Sequence, residues 1–504
     1  MDKSNIEISN YINSLKIFLY KYLIFNFIIN ICLYFFSNVN LGFIFFILIV
    51  LFFFINIFKI YKSFTPVLFS QILVIFLVNL TYLAFIISYI LNTFVFNIKM
   101  DYVFEYLVFC DTKTYFLANS YLFIFSLSIL FFNNFIPKSL ILKIVQKTKI
   151  IENNSIKRNL LICIIACISA EFFYFSSGIL GTQTTGGFLL SNPDDKSSWF
   201  TQLFKFILIF HILLNILYFN SYKKEKLTIF VIIFLIISFF TCFVFFSLFA
   251  RKAIIMFFLI NFFLYFIVTG DKIVTFKKFL VYLFTLTIIF QSWNFLSTIR
   301  SMSLTQGTMS LKEVIKQGQI FSFYTNPNVS KLGKQEVAVN LSLRVLNNHE
   351  LASVFYHNSL EEKKQLNGQL LISYIIKAIP KIIYPKKTEH ITGEDLIRTV
   401  TSSPLYLTDT VDSYQSASYL DFGLFGLIIY PIIINLILFI LYKIMAFEKL
   451  TNFSVIYITG LVIPFITLDI VETSPIGWFT LVRNILLFII FFNFLFLLTQ
   501  KKKL

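Results

Sequence analysis

The sequence predicts an all-α polytopic membrane protein with about twelve transmembrane helices. Of its 504 residues, 58% are hydrophobic and 68 are phenylalanine, whereas soluble domains are about 45–50% apolar. Many windows of about 20 residues carry almost no charge, which is enough for a helix to cross roughly 30 Å of hydrocarbon. Apolar and polar residues do not alternate along these windows, so membrane-spanning strands are not expected.

Hydropathy places the predicted helices, and the charge of the loops orients them. Short basic loops follow helices two, four, six and eight, and the chain ends in "KKKL". Because cationic loops are retained in the cytoplasm, we expect both termini to be cytoplasmic, with "MDKSNIEISNYINSLK" as a polar tail. The predicted helices start near Phe18, Leu41, Val67, Tyr115, Asn159, Thr201, Leu227, Ala253, Phe279, Tyr419, Ser454 and Leu481.

The alternate loops are then external, and one of them is much the longest. We expect helices 1–9 within residues 1–299, a large external loop over 300–418, and helices 10–12 within 419–504. Inside the loop, "GQLLISYIIKAIPKIIYP" and two further segments have helical apolar spacing, and prolines interrupt the pattern. The loop is therefore predicted to be a folded helical cap between helices 9 and 10.

Composition and motifs exclude several classes of function. The net charge of +17 lies mostly in short loops, where it sets orientation, so no nucleic-acid partner is expected. Most of the five cysteines fall inside predicted helices, which disfavours a disulfide framework. HExxH, GxSxG and Walker patterns do not occur, so hydrolase and ATPase functions lose support. No metal ion or cofactor is predicted, because the acidic pair Asp194 and Asp195 lacks further ligands.

Two adjacent cations, Arg251 and Lys252, interrupt the apolar stretch "FFSLFARKAIIMFF" without any turn residue. The predicted topology puts them in a tight external hairpin between helices 7 and 8. Cations at the end of a span commonly snorkel to the lipid headgroups. Because the positive-inside bias disfavours cations on the external side, we also expect a phosphate-binding role for this pair.

Further external cations are expected to gather with this pair. A guanidinium matches phosphate oxygens in a bidentate way and keeps its proton, so a cluster of arginines suits a lipid diphosphate. Each of these residues taken alone is typical of an ordinary surface cation. The predicted diphosphate-binding set is Arg251, Lys252, Arg300, Arg344 and Arg398, with Arg483, Lys386 and Lys387 on the same face.

Acids and bases on this face supply candidates for proton transfer. A carboxylate or imidazole within hydrogen-bond reach of a hydroxyl activates that hydroxyl as a nucleophile. A surface or packed imidazole is, however, the commoner role of a single histidine. The candidates are Asp412, His349 and His390, followed by His357, Glu394, Asp395, Asp409, Asp421 and Glu472.

Three motifs, in this order, resemble those of the Wzy type of bacterial polysaccharide polymerase, a family related to the O-antigen ligases. "FARKAII" resembles the family's basic turn, "PKIIYPKKT" resembles its loop motif, and "SYLDFGLFGLIIYPIII" resembles its re-entry helix. The helix count and the long, late external loop agree with the same family. The N-terminal half is similar only in hydropathy.

The resemblance implies an enzyme of the bacterial inner membrane whose active face is periplasmic. Such polymerases move a growing glycan from one polyprenyl diphosphate to the sugar of a fresh lipid-linked repeat unit, for O-antigen or capsule. Arg251 matches the family's turn arginine, and the cations would stabilise the departing diphosphate in place of a metal ion. Related ligases carry a histidine where this chain has Asp412, which is the favoured base. The implied partners are the lipid-linked donor and acceptor, membrane lipid and a chain-length regulator protein.

Other functions remain open at this point. A lipid-linked oligosaccharide flippase also has about twelve helices and buried cations, but it commonly shows two similar halves and needs no large cap. An O-antigen ligase would share the motif resemblance. A structural or sensory membrane protein would not gather Arg251, Arg300 and Arg344 at one site.

Overall fold

The computed structural model describes the chain in separate segments. They cover residues 3–36, 112–149, 211–219, 365–380, 383–388, 413–448, 450–472 and 477–487, with single positions within 69–74, 164–172, 233–238, 260–269 and 351–355 and at 396 and 489. No strand occurs among these residues. The prediction of an all-helical fold is confirmed for this part of the chain.

Seven α-helices of the described segments have defined bounds. They are α1 (Lys3–Phe36), α2 (Thr112–Asn133), α3 (Lys138–Lys149), α4 (Gln369–Ala378), α5 (Tyr414–Phe422), α6 (Gly426–Ala446) and α7 (Asn452–Glu472), with 3-10 helices at Pro385–Thr388 and Gly423–Phe425. Among the described residues, three stretches are long and apolar enough to cross a membrane: Ser9–Cys32, Phe116–Asn133 and Tyr414–Ala446. These stretches identify the chain as a membrane protein.

Several element boundaries differ from the hydropathy prediction. α1 begins at Lys3 rather than near Phe18, because the polar N-terminal residues continue the helix although they lower its hydropathy. The basic loop after the fourth predicted helix contains α3, an amphipathic helix whose Ile141 and Ile144 are buried. The single helix predicted near Tyr419 is two helices, α5 and α6, which are separated by the turn at 423–425.

α2 lies between α1 and α6 and hydrogen-bonds to both. Asn119 Nδ2 donates to Asn30 Oδ1 of α1 at 3.1 Å, and Asn30 Nδ2 donates to Ser120 Oγ at 3.3 Å. On the other side, Asn435 Nδ2 of α6 donates to Ile129 O of α2 at 3.1 Å. Because an unsatisfied amide is costly in hydrocarbon, these bonds fix which faces of the three helices meet.

The two ends of α6 contact different parts of the chain. Just after its C-terminus, Phe447 O and Leu450 O accept hydrogen bonds from Lys147 Nζ of α3, at 2.6 and 3.1 Å. The early part of α1 lies at this same end, because Lys138 Nζ of α3 donates to Asn13 Oδ1 at 2.9 Å. α4 packs at the other end, beside α5. The basic helix α3 and the loop helix α4 are therefore separated by the length of α6.

Candidate functional site

The predicted diphosphate-binding and catalytic residues lie outside the described residues. They are Arg251, Lys252, Arg300, Arg344, Arg398, Asp412, His349 and His390. The structure does describe the two motif segments next to Asp412 and His390 in the sequence, within residues 365–388 and 413–426. These two segments pack together, and we call them the α4–α5 junction.

Two glycines allow α5 to end and α6 to begin within a few residues. Gly423 has a φ of +56°, which L side chains rarely adopt, and a Cβ there would overlap the Gln365 side chain. A Cβ on Gly426 would overlap the backbone carbonyl of Ser418. The "FGLFG" part of the re-entry motif is therefore what permits a tight break immediately before the span.

Tyr121 of α2 holds this break from inside the bundle. Its hydroxyl donates to Gly423 O at 3.2 Å and lies 2.9 Å from Ser418 Oγ. Its ring packs edge-on against Tyr419, with the centroids 5.6 Å apart. Gly423 O also accepts the Gly426 N–H within the 3-10 turn. The Tyr121 hydroxyl therefore adds a second hydrogen bond at this oxygen and ties the break to α2.

Asp421, one of the candidate acids, is fully buried near the end of α5. Its Oδ1 accepts the Leu370 N–H at 3.0 Å, and its Oδ2 accepts the Leu371 N–H at 2.9 Å and the Tyr430 hydroxyl at 2.8 Å. The first turn of α4 has no side-chain cap of its own, because its N-cap residue is Gly368. Asp421 therefore caps α4 from another helix and places a carboxylate at the positive end of its dipole.

Arg483, in the helical segment 477–487, holds the other end of α4. Its Nη1 donates to Ala378 O, in the last residue of α4, at 2.8 Å. A turn follows in which the Ile383 N–H donates to Pro380 O at 2.9 Å. The described part of the "PKIIYPKKT" segment thus follows α4 with this turn and the 3-10 helix Pro385–Thr388, in which Lys386 is exposed.

Both charged side chains therefore make contacts with α4 that residue type does not predict. Asp421 was a candidate for proton transfer and Arg483 a candidate external cation, yet both hydrogen-bond to the backbone of α4. A buried carboxylate that accepts three hydrogen bonds is occupied by the fold, so we assign Asp421 a structural role. No local pattern signals this role, because 51 positions separate Asp421 from Leu370 and 105 separate Arg483 from Ala378.

Two buried polar groups close to the junction stand out for a different reason. Gln415 is fully buried, and neither atom of its amide has a hydrogen-bond partner in the described part of the chain. The same holds there for Nε1 of Trp478, whose ring packs edge-on against Tyr414 at 6.1 Å. A buried polar group without a partner costs free energy, which a ligand that pairs with it can recover.

The sequence pattern also did not single out a buried polar cluster elsewhere in the chain. His211 and Asn215 lie one helical turn apart and are fully buried, and the Asn215 side chain donates to that of Asn261. A signal was present, because an ionisable residue inside an apolar run is rare in membrane helices. In the described part of the chain, this cluster connects the helical segment 211–219 with Asn261.

Comparison with known proteins provides no relative from which function can be transferred. No family model matches the sequence, and neither a curated protein nor a solved structure is significantly similar to the chain. The assignment of function therefore depends on the motifs and on the α4–α5 junction.

Proposed function

We propose that the chain is a repeat-unit polymerase of the Wzy type, a glycosyltransferase of the bacterial inner membrane. It joins polyprenyl-diphosphate-linked oligosaccharides into a longer glycan, with one lipid-linked unit as donor and another as acceptor. The proposed topology has about twelve transmembrane helices, both termini in the cytoplasm and a periplasmic loop over residues 300–418. A chain-length regulator is the proposed protein partner.

The packing of the α4–α5 junction is the observation that carries the proposal. Its segments resemble two successive family motifs, and Asp421 joins them at the start of an apolar stretch of membrane-spanning length. The favoured base, Asp412, directly precedes the second segment in the sequence, and His390 follows the first by two positions. Glycosyl transfer requires closely positioned reactants, and both candidates adjoin the packed segments in the sequence.

The proposed reaction exchanges one glycosidic C–O bond for another. The acceptor hydroxyl attacks the anomeric carbon of the donor, and Asp412 takes the hydroxyl proton. The bond between the anomeric carbon and the diphosphate oxygen breaks, and the diphosphate leaves with the bonding electron pair. Arg251 and Lys252 stabilise the charge that develops on this leaving group. The other assigned residues are His349 and His390 as alternative bases, and Arg300, Arg344 and Arg398 as further diphosphate ligands.

Gln415 is the described residue that best fits recognition of a sugar. It follows the favoured base by three positions, and its buried amide is unpaired in the described part of the chain. An amide offers both donors and an acceptor, which is the pattern that neighbouring sugar hydroxyls require. We assign it to the acceptor sugar.

The test uses the full-length protein in vesicles with the lipid-linked repeat unit isolated from its own cells. A polymerase converts single units into a ladder of longer glycans and releases one polyprenyl diphosphate for each bond formed. Arg251→Ala should reduce the rate by about 100-fold or more, since it removes a charge that stabilises the transition state. Lys143→Ala, at an exposed position of α3, is the control and should leave the rate unchanged. Wild-type protein that yields neither a ladder nor free diphosphate would overturn the proposal.

The same vesicles separate the alternative functions. A flippase would move intact units across the bilayer without lengthening them or releasing diphosphate. A ligase would release diphosphate only after a lipopolysaccharide core is added as acceptor. Either result, in the absence of a glycan ladder, would replace the polymerase assignment.

A further inference from the structure

α4 carries an exposed apolar face. Ile372 and Ile375 are 56% and 41% exposed, and Ile383 in the turn after α4 is 73% exposed. The opposite face of α4 is buried against the chain through Leu370, Tyr374 and other residues. Three exposed isoleucines within so short a stretch of sequence indicate a covering partner, because exposed apolar patches are costly in water.

The bilayer is the partner that the neighbouring helix indicates. α6 exposes Ile428, Ile432, Leu436 and Ile440 at four-residue spacing, which gives one continuous apolar stripe along a membrane-spanning helix. Such a stripe faces lipid acyl chains. The exposed apolar surface continues at the start of α6, where Leu424 and Phe425 are also exposed.

The position of α4 along α6 sets how deeply α4 lies in the membrane. The 21 residues of α6 rise about 31 Å, which matches the hydrocarbon thickness of roughly 30 Å. Gly426, the first residue of α6, therefore lies near one boundary of the hydrocarbon. Because Asp421 accepts hydrogen bonds from the first turn of α4, that turn lies near the same boundary.

Charge at this surface agrees with a lipid environment. Lys377 lies in the last turn of α4, and Lys386 is exposed in the 3-10 helix that follows. Isoleucines beside lysines on a short helix are typical of segments that lie in the bilayer interface, with cations among the lipid phosphates.

We propose that Ile372, Ile375 and Ile383 form a membrane-surface anchor, which is immersed in the bilayer interface at the Gly426 end of α6 with Lys386 at the lipid phosphates. The anchor would hold the loop segment 365–388 against the membrane. It is independent of the polymerase assignment, because it requires only that α6 spans the bilayer.

The test measures the environment of each anchor residue in the full-length protein. Ile372→Cys, Ile375→Cys and Ile383→Cys variants, without the native cysteines, carry a nitroxide label in vesicles of phosphatidylcholine and phosphatidylglycerol. Collisions with oxygen should exceed those with a water-soluble nickel chelate at all three positions. Ile432→Cys, on the stripe of α6, is the lipid standard, and Lys386→Cys is the control expected to favour the nickel chelate.

Two outcomes would overturn the anchor. Nickel collisions in excess at the three isoleucine positions would place them in water, and low collision rates with both reagents would place them under protein. A second measurement keeps the native cysteines and installs p-benzoylphenylalanine in place of Ile375. Irradiation in the same vesicles should give a lipid adduct by mass spectrometry, and cross-links to protein alone would contradict the proposal.

Discussion

Asp421 and Arg483 hold opposite ends of a single short helix. The Asp421 carboxylate accepts hydrogen bonds from the first turn of α4, and the Arg483 guanidinium donates one to Ala378 O in its last residue. Each charge has the sign that stabilises the helix dipole at its end. α4 has only ten residues, too few to be stable alone in water, so these contacts and its buried face stabilise it.

Replacing Asp421 should destabilise the junction in proportion to the acceptors lost. Asp421→Ala leaves the buried N–H of Leu370 and the partly buried N–H of Leu371 without the carboxylate and should cost about 3 kcal/mol of unfolding free energy. Asp421→Asn keeps one acceptor and should cost about half as much. Denaturant titration of the purified protein, followed by tryptophan fluorescence, measures both. Tyr430→Phe, which removes only the hydroxyl, is the control at about 1 kcal/mol, and an equal cost for Asp421→Ala would contradict the capping role.

Arg483 should be coupled to Asp421 through α4. Arg483→Met removes the hydrogen bond to Ala378 O and should cost about 1 kcal/mol. Once Asp421→Asn has loosened the first turn, the same change should cost less, so the double variant should fall short of the sum. Asn484→Ala, which removes the neighbour of Arg483 but not the contact with α4, is the control. Strict additivity of the two substitutions would show that the ends of α4 are held independently.

The break before α6 should tolerate no side chain at Gly426. In Gly426→Ala the new methyl overlaps the Ser418 carbonyl, which is backbone and cannot move without opening the break, so a loss of several kcal/mol is expected. Gly460→Ala in α7 is the matched control, because its methyl would meet the end of the Leu264 side chain, which can change rotamer. Thermal unfolding in detergent should show a much larger drop in midpoint for Gly426→Ala. Equal drops would mean that the break is not tightly packed.

The sequence predicted the features that depend on local pattern. The helical spacing of "GQLLISYIIKA" located α4, and the apolar run from Ser454 located α7, which begins at Asn452. Hydropathy averages over a window, so it does not resolve the break between α5 and α6 at Gly423 and Gly426. Hydropathy also places the start of the first helix near Phe18, whereas the polar residues from Lys3 onward are already helical in α1.

The candidate site was less predictable because residue type does not specify burial. Residue type places Asp421 among the candidate acids on the predicted external face, but its environment is set by the backbone of a helix far away in the sequence. Residue type places Arg483 among the external cations for the same reason, and in the structure its guanidinium donates to Ala378 O and to the Asn484 side chain. Long-range contacts of this kind leave no periodic signal in one sequence.

Replacing Gln415 by leucine should lower activity without lowering stability. Gln415→Leu replaces a buried amide, unpaired in the described part of the chain, by an apolar side chain of similar size, so stability should be unchanged or rise by about 1 kcal/mol. If the amide binds the acceptor sugar, the rate of glycan lengthening in vesicles should fall by at least about tenfold, since a sugar hydroxyl loses its partner. Gln71→Leu is the matched control, because Gln71 is equally buried and its amide also has no partner among the described residues. Gln71 lies near Phe69, which stacks on Tyr442 toward the far end of α6. The control should show the same stability change with full activity. Loss of activity in both variants, or in neither, would remove Gln415 from the acceptor site, because only a specific contact distinguishes two amides that are equal in burial and pairing.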